Sequence, residues 1–339
     1  MHVLGIETSC DDTCAAVVVD GTRVLSNVVS SQIDLHAAFG GVVPEIASRR
    51  HVELITAIIG QALDRAHMSI GDVDAIAVTQ GPGLLGSLVV GIAAAKAIAV
   101  AIDKPIVAVD HLESHIYANF LGKEPPKFPF LVLVVSGGHT DLMLVRDHTD
   151  VTILGRTRDD AAGEAFDKGA RLLGLAYPGG PAIQRLAMEG DAHAVKFPIA
   201  HLGGKLEFSF SGVKSELARR MTRAEDSTRP EDLAASYQHA IITPLISTTM
   251  AAAARYDVQT IAIAGGVAAN RMLREGIALR AHTMRIAIAL PDLIYCMDNA
   301  AMTAARGYFL LQANGPTALD FDAYATSRPH TQDIAARQV

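Results

Sequence analysis

A proline-rich segment near the middle of the chain, residues 122–129, separates two halves for which the same order of elements is predicted. Each half begins with three short apolar segments typical of β-strands and continues with alternating helices and strands. The predicted opening strands are residues 2–7, 13–20 and 23–30 in the first half and 130–135, 140–145 and 151–155 in the second. The halves share this order and not their residues. They predict a duplicated α/β unit facing a central cleft.

The proline-rich segment is the predicted boundary between two lobes. We expect an N-terminal lobe of residues 1–125, joined by a returning C-terminal helix within residues 299–325, and a C-terminal lobe of residues 126–298. A helix after the first three strands is indicated by an apolar stripe of Ile46, Val52, Ile55, Ile58, Ile59 and Leu63.

Composition narrows the class of protein. Half of the 339 residues are apolar, which suffices for a large core. The apolar run 84–102 is interrupted by Lys96 and rich in small residues, so we expect a core helix and no membrane span. Three cysteines and a start without a secretory signal favour the reducing cytoplasm.

The net charge of −7 argues against a protein coated with basic residues for nucleic acid and is compatible with a local basic patch. Candidate phosphate contacts in such a patch are Arg49, Arg50, Lys205, Lys214, Arg219, Arg220 and Arg223.

Two histidines follow an apolar strand that ends near Asp110. His111 and His115 are four residues apart in a predicted helix, so both imidazoles lie on one face and can reach one metal ion. Asp298 is the preferred third ligand, because it lies where the last strand gives way to the returning helix. His139 and Cys296 are lesser candidates. The alternative is a helix cap or a surface hydrogen bond for the histidine pair, an N-cap for Asp298, and a place beside the ligands or in the core for His139 and Cys296.

Glycine-containing loops supply candidate anion sites. Ser136-Gly-Gly-His-Thr140 directly follows a predicted buried strand, and successive backbone N–H groups in such a turn can bind a phosphate. The loops Gly265-Gly266, before Asn270, and Gly179-Gly180 offer further sites of close approach. In the acidic segment 159–168, Asp167 shares a helical face with Glu164 and can contact ligand hydroxyls, and Lys168 can pair with Glu164.

Residues 81–86 fit the G-x-G-x-x-G dinucleotide fingerprint by spacing. We disfavour this interpretation, because the segment does not open an uninterrupted βαβ series and the acidic residue, Asp110, adjoins the histidine pair.

Taken together and in order, the motifs resemble those of the bacterial TsaD family of tRNA threonylcarbamoyladenosine enzymes, formerly called glycoproteases or O-sialoglycoprotein endopeptidases. The motifs that carry the resemblance are residues 7–11, 40–45, the His111/His115 pair, 135–140, 162–168, 177–181, 208–212, 264–267 with 270–271, and 298–299.

The resemblance implies a fold like that of actin, Hsp70 and the sugar kinases (ASKHA), with two RNase H-like lobes around a nucleotide cleft. It implies transfer of a threonylcarbamoyl group from threonylcarbamoyl-adenylate to N6 of the adenosine 3′ of the anticodon. It also implies cytoplasmic partners without a membrane: tRNA, a TsaB-like paralogue and a TsaE-like ATPase.

Matching positions carry the implied roles. His111, His115 and Asp298 correspond to metal ligands, with iron as the implied ion and zinc as the alternative. The adenylate contacts correspond to Val134, Val135, Ser136, Gly137, Gly138, Asp167, Gly180 and Asn270. We assign Asp11 the hypothetical role of accepting the amine proton. Ser114 and Asp12 depart from the family pattern of Gly or Ala and of Glu, and Asp12 keeps the negative charge on a shorter side chain.

Two other classes of protein fit the motifs less well than the transferase. A nucleotide-binding ATPase or a sugar kinase of the same fold has no evident use for the histidine pair. A zincin protease needs H-E-x-x-H, whereas Glu113 is two residues after His111 and therefore about 200° around the helix from it.

Overall fold

The computed structural model describes residues 1–122, 124–200, 202–222 and 227–326. It divides into two compact units. Unit 1 consists of Met1–Pro125, His148–Asp150 and the segment that begins at Pro291; unit 2 consists of Pro126–Asp147 and Val151–Leu290. The lobe limits given above remain a prediction. Residues 291–298, which include Asp298, belong to unit 1 in the structure.

Unit 1 opens with the predicted meander and continues with alternating elements. In chain order these are β1 (His2–Glu7), β2 (Asp12–Val19), β3 (Arg23–Ser31), α1 (Ile33–Ala37), α2 (Pro44–Arg65), β4 (Ala75–Gly81), α3 (Leu85–Ile102), β5 (Ile106–Asp110) and α4 (His111–Tyr117).

Unit 2 repeats the pattern with a larger insertion of helices. Its elements are β6 (Phe130–Val135), β7 (Thr140–Val145), β8 (Val151–Arg156), α5 (Ala162–Leu172), α6 (Gly179–Ala187), α7 (Ser211–Met221), α8 (Pro230–Tyr256), β9 (Thr260–Ala264), α9 (Arg271–Met284) and β10 (Ala287–Ala289). The chain then re-enters unit 1 as α10 (Ala300–Asn314).

Each unit contains one five-stranded sheet, and the two sheets have equivalent strand orders: β3-β2-β1-β4-β5 and β8-β7-β6-β9-β10. In both sheets the first three strands are antiparallel, and the fourth and fifth run parallel to the first. The predicted duplication is therefore present in the connectivity of the chain.

The sheet of unit 1 is covered on both faces. Leu4, Ile6 and Val17 face α2 and α3, whereas their neighbours in sequence face α10, because successive strand side chains alternate between faces. The predicted stripe on α2 was wrong at Val52, which is 64% exposed. His51 is buried in the inward position instead, and its ring nitrogens bond the Thr13 hydroxyl at 2.8 Å and the Cys10 carbonyl at 3.0 Å.

Among the described helices, α3 alone is long and apolar enough to pass a length-and-composition test for a membrane span. Leu88, Ile92 and Ala95 on this helix lie in the core of unit 1. Lys96 donates a hydrogen bond to the Phe321 carbonyl at 2.6 Å. A core helix of a sheet-based domain passes the same test, so this is weak evidence for a membrane segment.

Candidate functional site

The end of strand β5 positions the histidine pair. The Asp110 carboxylate caps α4 by accepting from the backbone N–H groups of Leu112 at 2.8 Å and Glu113 at 3.1 Å. Helix α4 then places His111 and His115 on one face, with ring centroids 4.7 Å apart. Both side chains are buried.

The start of α10 supplies the carboxylate. Asn299 caps α10 by accepting from the Met302 N–H at 3.0 Å, and Asp298 directly precedes it. The Asp298 Oδ1 atom lies 3.2 Å from His115 Nε2 and 3.7 Å from His111 Nε2. One ligand atom from each of the three residues lies within 4.8 Å of the others. The structure thus brings the three predicted ligands together within unit 1.

The chemistry of this set fits a divalent ion. Metal–ligand bonds of about 2 Å place tetrahedral ligand atoms roughly 3.3 Å apart, close to the two spacings from Asp298. His115 is fully buried, and neither of its ring nitrogens has a hydrogen-bond partner among the described residues. A buried imidazole nitrogen facing a carboxylate would gain its missing partner from a bound cation.

Glu7 orients His111 from behind. This glutamate ends β1 and is fully buried. Its Oε2 atom lies 3.1 Å from His111 Nδ1 and accepts from the Thr79 hydroxyl at 2.6 Å, while Oε1 accepts from the Ser9 N–H at 2.5 Å. A carboxylate that binds Nδ1–H leaves Nε2 free for a metal. Sequence reasoning missed this role, since Glu7 was noted only as part of a motif.

The buried carboxylates control the charge on His111. Burial lowers the pKa of His111, but the negative charges of Glu7 and Asp298 outweigh it and raise that pKa to about 9. For Glu7, burial raises the pKa and the facing imidazolium lowers it more, so its pKa lies below the ordinary value. In the metal-free protein the pair is therefore an ion pair near neutral pH.

The loop between β1 and β2 carries the proposed proton acceptor. Asp11 is half-buried there, and its backbone carbonyl accepts from the Gln32 N–H at 3.1 Å. Burial and the Asp298 charge raise the pKa of the neighbouring Asp12 to about 7. The Asp12 Oδ1 atom is buried and has no hydrogen-bond partner among the described residues.

In unit 2, the candidate phosphate loop lies at the carboxyl end of β6. Val134 and Val135 are buried in the strand, and the Ser136 N–H donates to the His139 carbonyl at 2.9 Å to close the turn. Gly137 and Gly138 are exposed, and a Cβ added to either would meet no atom within 4 Å. The turn therefore leaves room for a ligand beside these two glycines.

The other predicted contacts lie in the diglycine loop at Gly265, in α5 and at the start of α6. Gly265 has a φ of +88°, and a Cβ there would lie 2.4 Å from the Val135 carbonyl oxygen, so the diglycine loop packs against the end of β6. Asp167 on α5 accepts from the Gly179 N–H at 2.7 Å, directly before Gly180. Gly180 has open space around its Cα.

Asn270 is already engaged within the protein. Its Oδ1 atom caps α9 by accepting from the Leu273 N–H at 3.2 Å, and its Nδ2 group donates to Gln238 Oε1 at 2.8 Å. Each group retains capacity for one further bond. The structure thus fixes the orientation in which this amide can meet a ligand.

The dinucleotide fingerprint has a structural explanation. A Cβ at Gly83 would lie 2.5 Å from the Ser9 carbonyl oxygen, and one at Gly81 would lie 2.2 Å from that of Tyr324. The Leu84 N–H donates to the Ser9 carbonyl at 2.8 Å. These glycines make room for the protein's own backbone, which leaves no close approach for a pyrophosphate.

Several lesser candidates lie outside the metal group. His139 is in the β6–β7 turn of unit 2, and the Cys296 thiol contacts the Asp292 carbonyl. Glu113 forms an ion pair with Arg306 and cannot act as the general base of a protease.

The candidate phosphate contacts are engaged with carboxylates in most cases. Of these tRNA-backbone candidates, Arg49 pairs with Glu45, Arg50 with Glu53, Arg219 and Arg220 with Glu216, and Lys214 with Asp160. Lys168 pairs with Glu164 at 2.7 Å, as predicted. Arg223 lies outside the described residues.

Two solved structures share this fold over most of the chain. The protein superposes on component A of (R)-2-hydroxyglutaryl-CoA dehydratase from Acidaminococcus fermentans with a TM-score of 0.53 and 16% identity, covering 91% of this chain and 98% of that one. HypF from T. kodakarensis gives a TM-score of 0.62 and 16% identity, covering 92% of this chain and 48% of that one. The fold is the duplicated one of actin, Hsp70 and the sugar kinases, as predicted.

Comparison of the sequence identifies the family to which the chain belongs, which the fold alone does not. Residues 23–305 match the model of the TsaD family, tRNA N6-adenosine threonylcarbamoyltransferase. A relative of that name from Symbiobacterium thermophilum is 52% identical, covering 95% of both chains. Another from Caldicellulosiruptor saccharolyticus is 51% identical over 92% of this chain and 93% of its own length. The chain belongs to the TsaD family, as its motifs predicted.

Proposed function

We propose that this protein transfers a threonylcarbamoyl group from threonylcarbamoyl-adenylate to N6 of the adenosine 3′ of the anticodon, in tRNAs that read codons starting with A. Membership of the TsaD family carries the proposal. The convergence of His111, His115 and Asp298 supports it, because neither an ATPase nor a sugar kinase of this fold needs such a set.

The proposed reaction has a simple balance. The adenosine amine attacks the carbonyl carbon of the mixed anhydride, a C–N bond forms, and the C–O bond to the phosphate breaks with its electron pair leaving on AMP. The amine proton must go to a base, and we assign Asp11 this role because of its place in the β1–β2 loop of unit 1.

The chain's own residues prepare the substrates. We assign the N–H groups of Gly137 and Gly138 to the adenylate phosphate, and Asp167 and Asn270 to further contacts with the adenylate; the open space at the two glycines supports the first assignment. The remaining proposed contacts are Val134, Val135, Ser136 and Gly180.

We further propose that the enzyme is metal-dependent. His111, His115 and Asp298 would hold the ion, which when bound would polarise the threonylcarbamoyl group as a Lewis acid. Glu7 accepts a hydrogen bond from Nδ1 of His111, and the other ring nitrogen, Nε2, faces Asp298 and is left for the ion. Iron is the proposed ion, with zinc as the alternative.

The proposed partners follow from the family alone. They are a TsaB-like paralogue and a TsaE-like ATPase, in addition to tRNA and the adenylate, and the proposed location is the cytoplasm.

A reconstituted reaction tests the proposal. The protein is incubated, with and without the two partners, with threonylcarbamoyl-adenylate and an unmodified tRNA transcript, and the digested tRNA is examined by mass spectrometry. We expect the threonylcarbamoyl nucleoside with the wild type and its loss in His115→Ala. Failure of the wild type to form it in either mixture would refute the proposed function.

A further inference from the structure

A buried arginine joins the two elements that carry the proposed metal ligands. Arg306 lies in α10, and its side chain is 3% exposed. Its Nε atom donates to Glu113 Oε2 at 3.0 Å, and Nη2 donates to the same oxygen. Its Nη1 atom donates to the Tyr117 hydroxyl at 2.9 Å and to the His148 carbonyl at 2.6 Å. All four residues belong to unit 1.

The two faces of α4 contact the same segment of chain. Glu113 and Tyr117, four residues apart, share the face that binds Arg306, about 200° around the helix from the face of the histidines. The histidines face Asp298, which directly precedes the Asn299 cap of α10. Helix α4 is therefore attached to residues 298–306 at two points, one of them the candidate metal site.

Stability alone is a weak reason for this arrangement. A buried ion pair loses most of its attraction to the desolvation of both charges, and apolar side chains of similar size often stabilise a protein equally well. The guanidinium is a planar fork with fixed donor directions, and it also lies 4.8 Å from the centre of the Tyr117 ring. Such a contact specifies a distance and an orientation between two helices.

We propose that Arg306 and Glu113 are positioning residues for the metal. Their ion pair sets the spacing between α4 and the start of α10, and thereby holds two imidazoles and a carboxylate at the separation that one divalent ion requires. The inference rests on the metal site proposed above and concerns residues that do not touch the ion.

Direct metal titration tests the inference without the tRNA reaction. Metal-free wild type and variants are titrated with Co²⁺, followed by its visible absorption, and with Zn²⁺ in competition with a coloured chelator. We expect about 10–100-fold weaker binding and an altered Co²⁺ spectrum for Arg306→Met and Glu113→Gln. Arg306→Lys should be intermediate, since lysine keeps the charge and loses the fork. Arg229→Met, which removes an exposed ion pair with Glu231, is the matched control.

A double variant separates positioning from folding. Glu113→Met with Arg306→Met leaves no unpaired buried charge, so its resistance to urea should exceed that of either single variant. Its metal affinity should nevertheless stay well below that of the wild type, because the fork is absent.

Wild-type affinity in the double variant, or in the folded single variants, would overturn the inference while leaving the metal site intact. A wild type that binds neither ion would refute the metal site and the inference together, whatever the outcome of the tRNA reaction.

Discussion

At the candidate metal site, the Glu7 carboxylate controls the protonation of the His111 ring. Replacement by glutamine keeps the size of the side chain and removes the charge that faces Nδ1. We expect Glu7→Gln to weaken Zn²⁺ binding by about 10–100-fold, the usual effect of losing a carboxylate behind a ligating histidine. Isothermal titration of the metal-free protein measures this. Glu53→Gln, which alters an exposed carboxylate on α2, is the control, and equal affinities in all three proteins would contradict the role of Glu7.

The raised pKa of His111 predicts how metal binding depends on pH. Because the imidazole must lose its Nε2 proton to bind a metal, affinity for Co²⁺ should rise about tenfold per pH unit and level off near the pKa of about 9. In Glu7→Gln the plateau should begin at lower pH, since Glu7 is a cause of the raised pKa. A pH-independent affinity in the wild type would show that His111 does not exchange a proton for the metal.

The same pKa has a consequence for stability. In the metal-free protein the folded pKa of His111 exceeds its ordinary value of 6.5. Its protonation therefore stabilises the fold fully below pH 6.5, and that contribution is lost as the pH rises through about 9.

Asp12 shifts stability in the same direction, at lower pH and for a different reason, because burial and the Asp298 charge disfavour its charged form. Its folded pKa is raised from 3.8 to about 7, so the unfolded chain releases this proton first and stability falls as the pH rises between those values. We expect Asp12→Asn to increase the free energy of unfolding of the metal-free protein by about 4 kcal/mol near pH 8, with little change near pH 4. Urea unfolding at the two pH values measures this, and equal gains at both would refute the explanation.

Among individual residues, the sequence predicted the contacts that follow directly from the spacing of residues along one helix. His111 and His115 are four apart, so a helix puts them together whatever surrounds it. Glu7 and Arg306 were missed because their partners, His111 and Glu113, are distant in sequence and no local pattern marks them. His51 is a polar residue on the buried face of α2, where the periodic pattern predicts an apolar one. Its hydrogen bonds to the Thr13 hydroxyl and the Cys10 carbonyl explain how a histidine is accommodated there.

At the scale of elements, the packing of α10 on β1 governs the position of Asp298. A Cβ at Gly5 would lie 2.2 Å from the Ala300 carbonyl oxygen, at the first turn of α10. Gly5→Ala should therefore lower the free energy of unfolding by about 2–4 kcal/mol and also weaken metal binding, because α10 must move away from the strand.

Gly60→Ala on α2 is the matched control for this substitution. A Cβ there meets no atom within 4 Å, and alanine is the better helix former, so a gain of about 0.5–1 kcal/mol is expected. Thermal and urea unfolding of both variants, with Zn²⁺ titration, measure the difference. A Gly5→Ala protein with unchanged metal affinity would separate α10 packing from the site.

Strand boundaries were predictable where a short apolar run ends at a turn or polar residue. Strands β6 and β7 match their predicted limits for this reason. The last strand, Ala287–Ala289, begins only after Arg285, whose φ of +58° ends the preceding helix. A left-handed residue at a helix end leaves no signature in hydrophobic periodicity.

At the scale of the whole molecule, the duplication was predictable from the order of the strands and helices. It could not be recognised by comparing the residues of the two halves. The equivalent sheets require only the same succession of strand and helix patterns, which many sequences satisfy. The assignment of residues 291–298 to unit 1 depends instead on tertiary packing. The single-turn 3₁₀ helix Leu293–Tyr295, just before Asp298, has no local sequence signal of the unit to which it belongs.

Binding of tRNA by a chain with a net charge of −7 requires a localised basic surface. Arg219 and Arg220 end α7, and both pair with Glu216, so a phosphate there must compete with one carboxylate. We expect Arg219→Glu with Arg220→Glu to weaken tRNA binding and to reduce the slope of log affinity against log salt by about one for each phosphate that the protein no longer neutralises. Filter binding at several salt concentrations measures both quantities. Arg65→Glu with Arg280→Glu, an equal charge change at two exposed positions, controls for the change in overall charge. If the two double variants weaken binding equally, the effect is one of net charge, and α7 does not touch the tRNA.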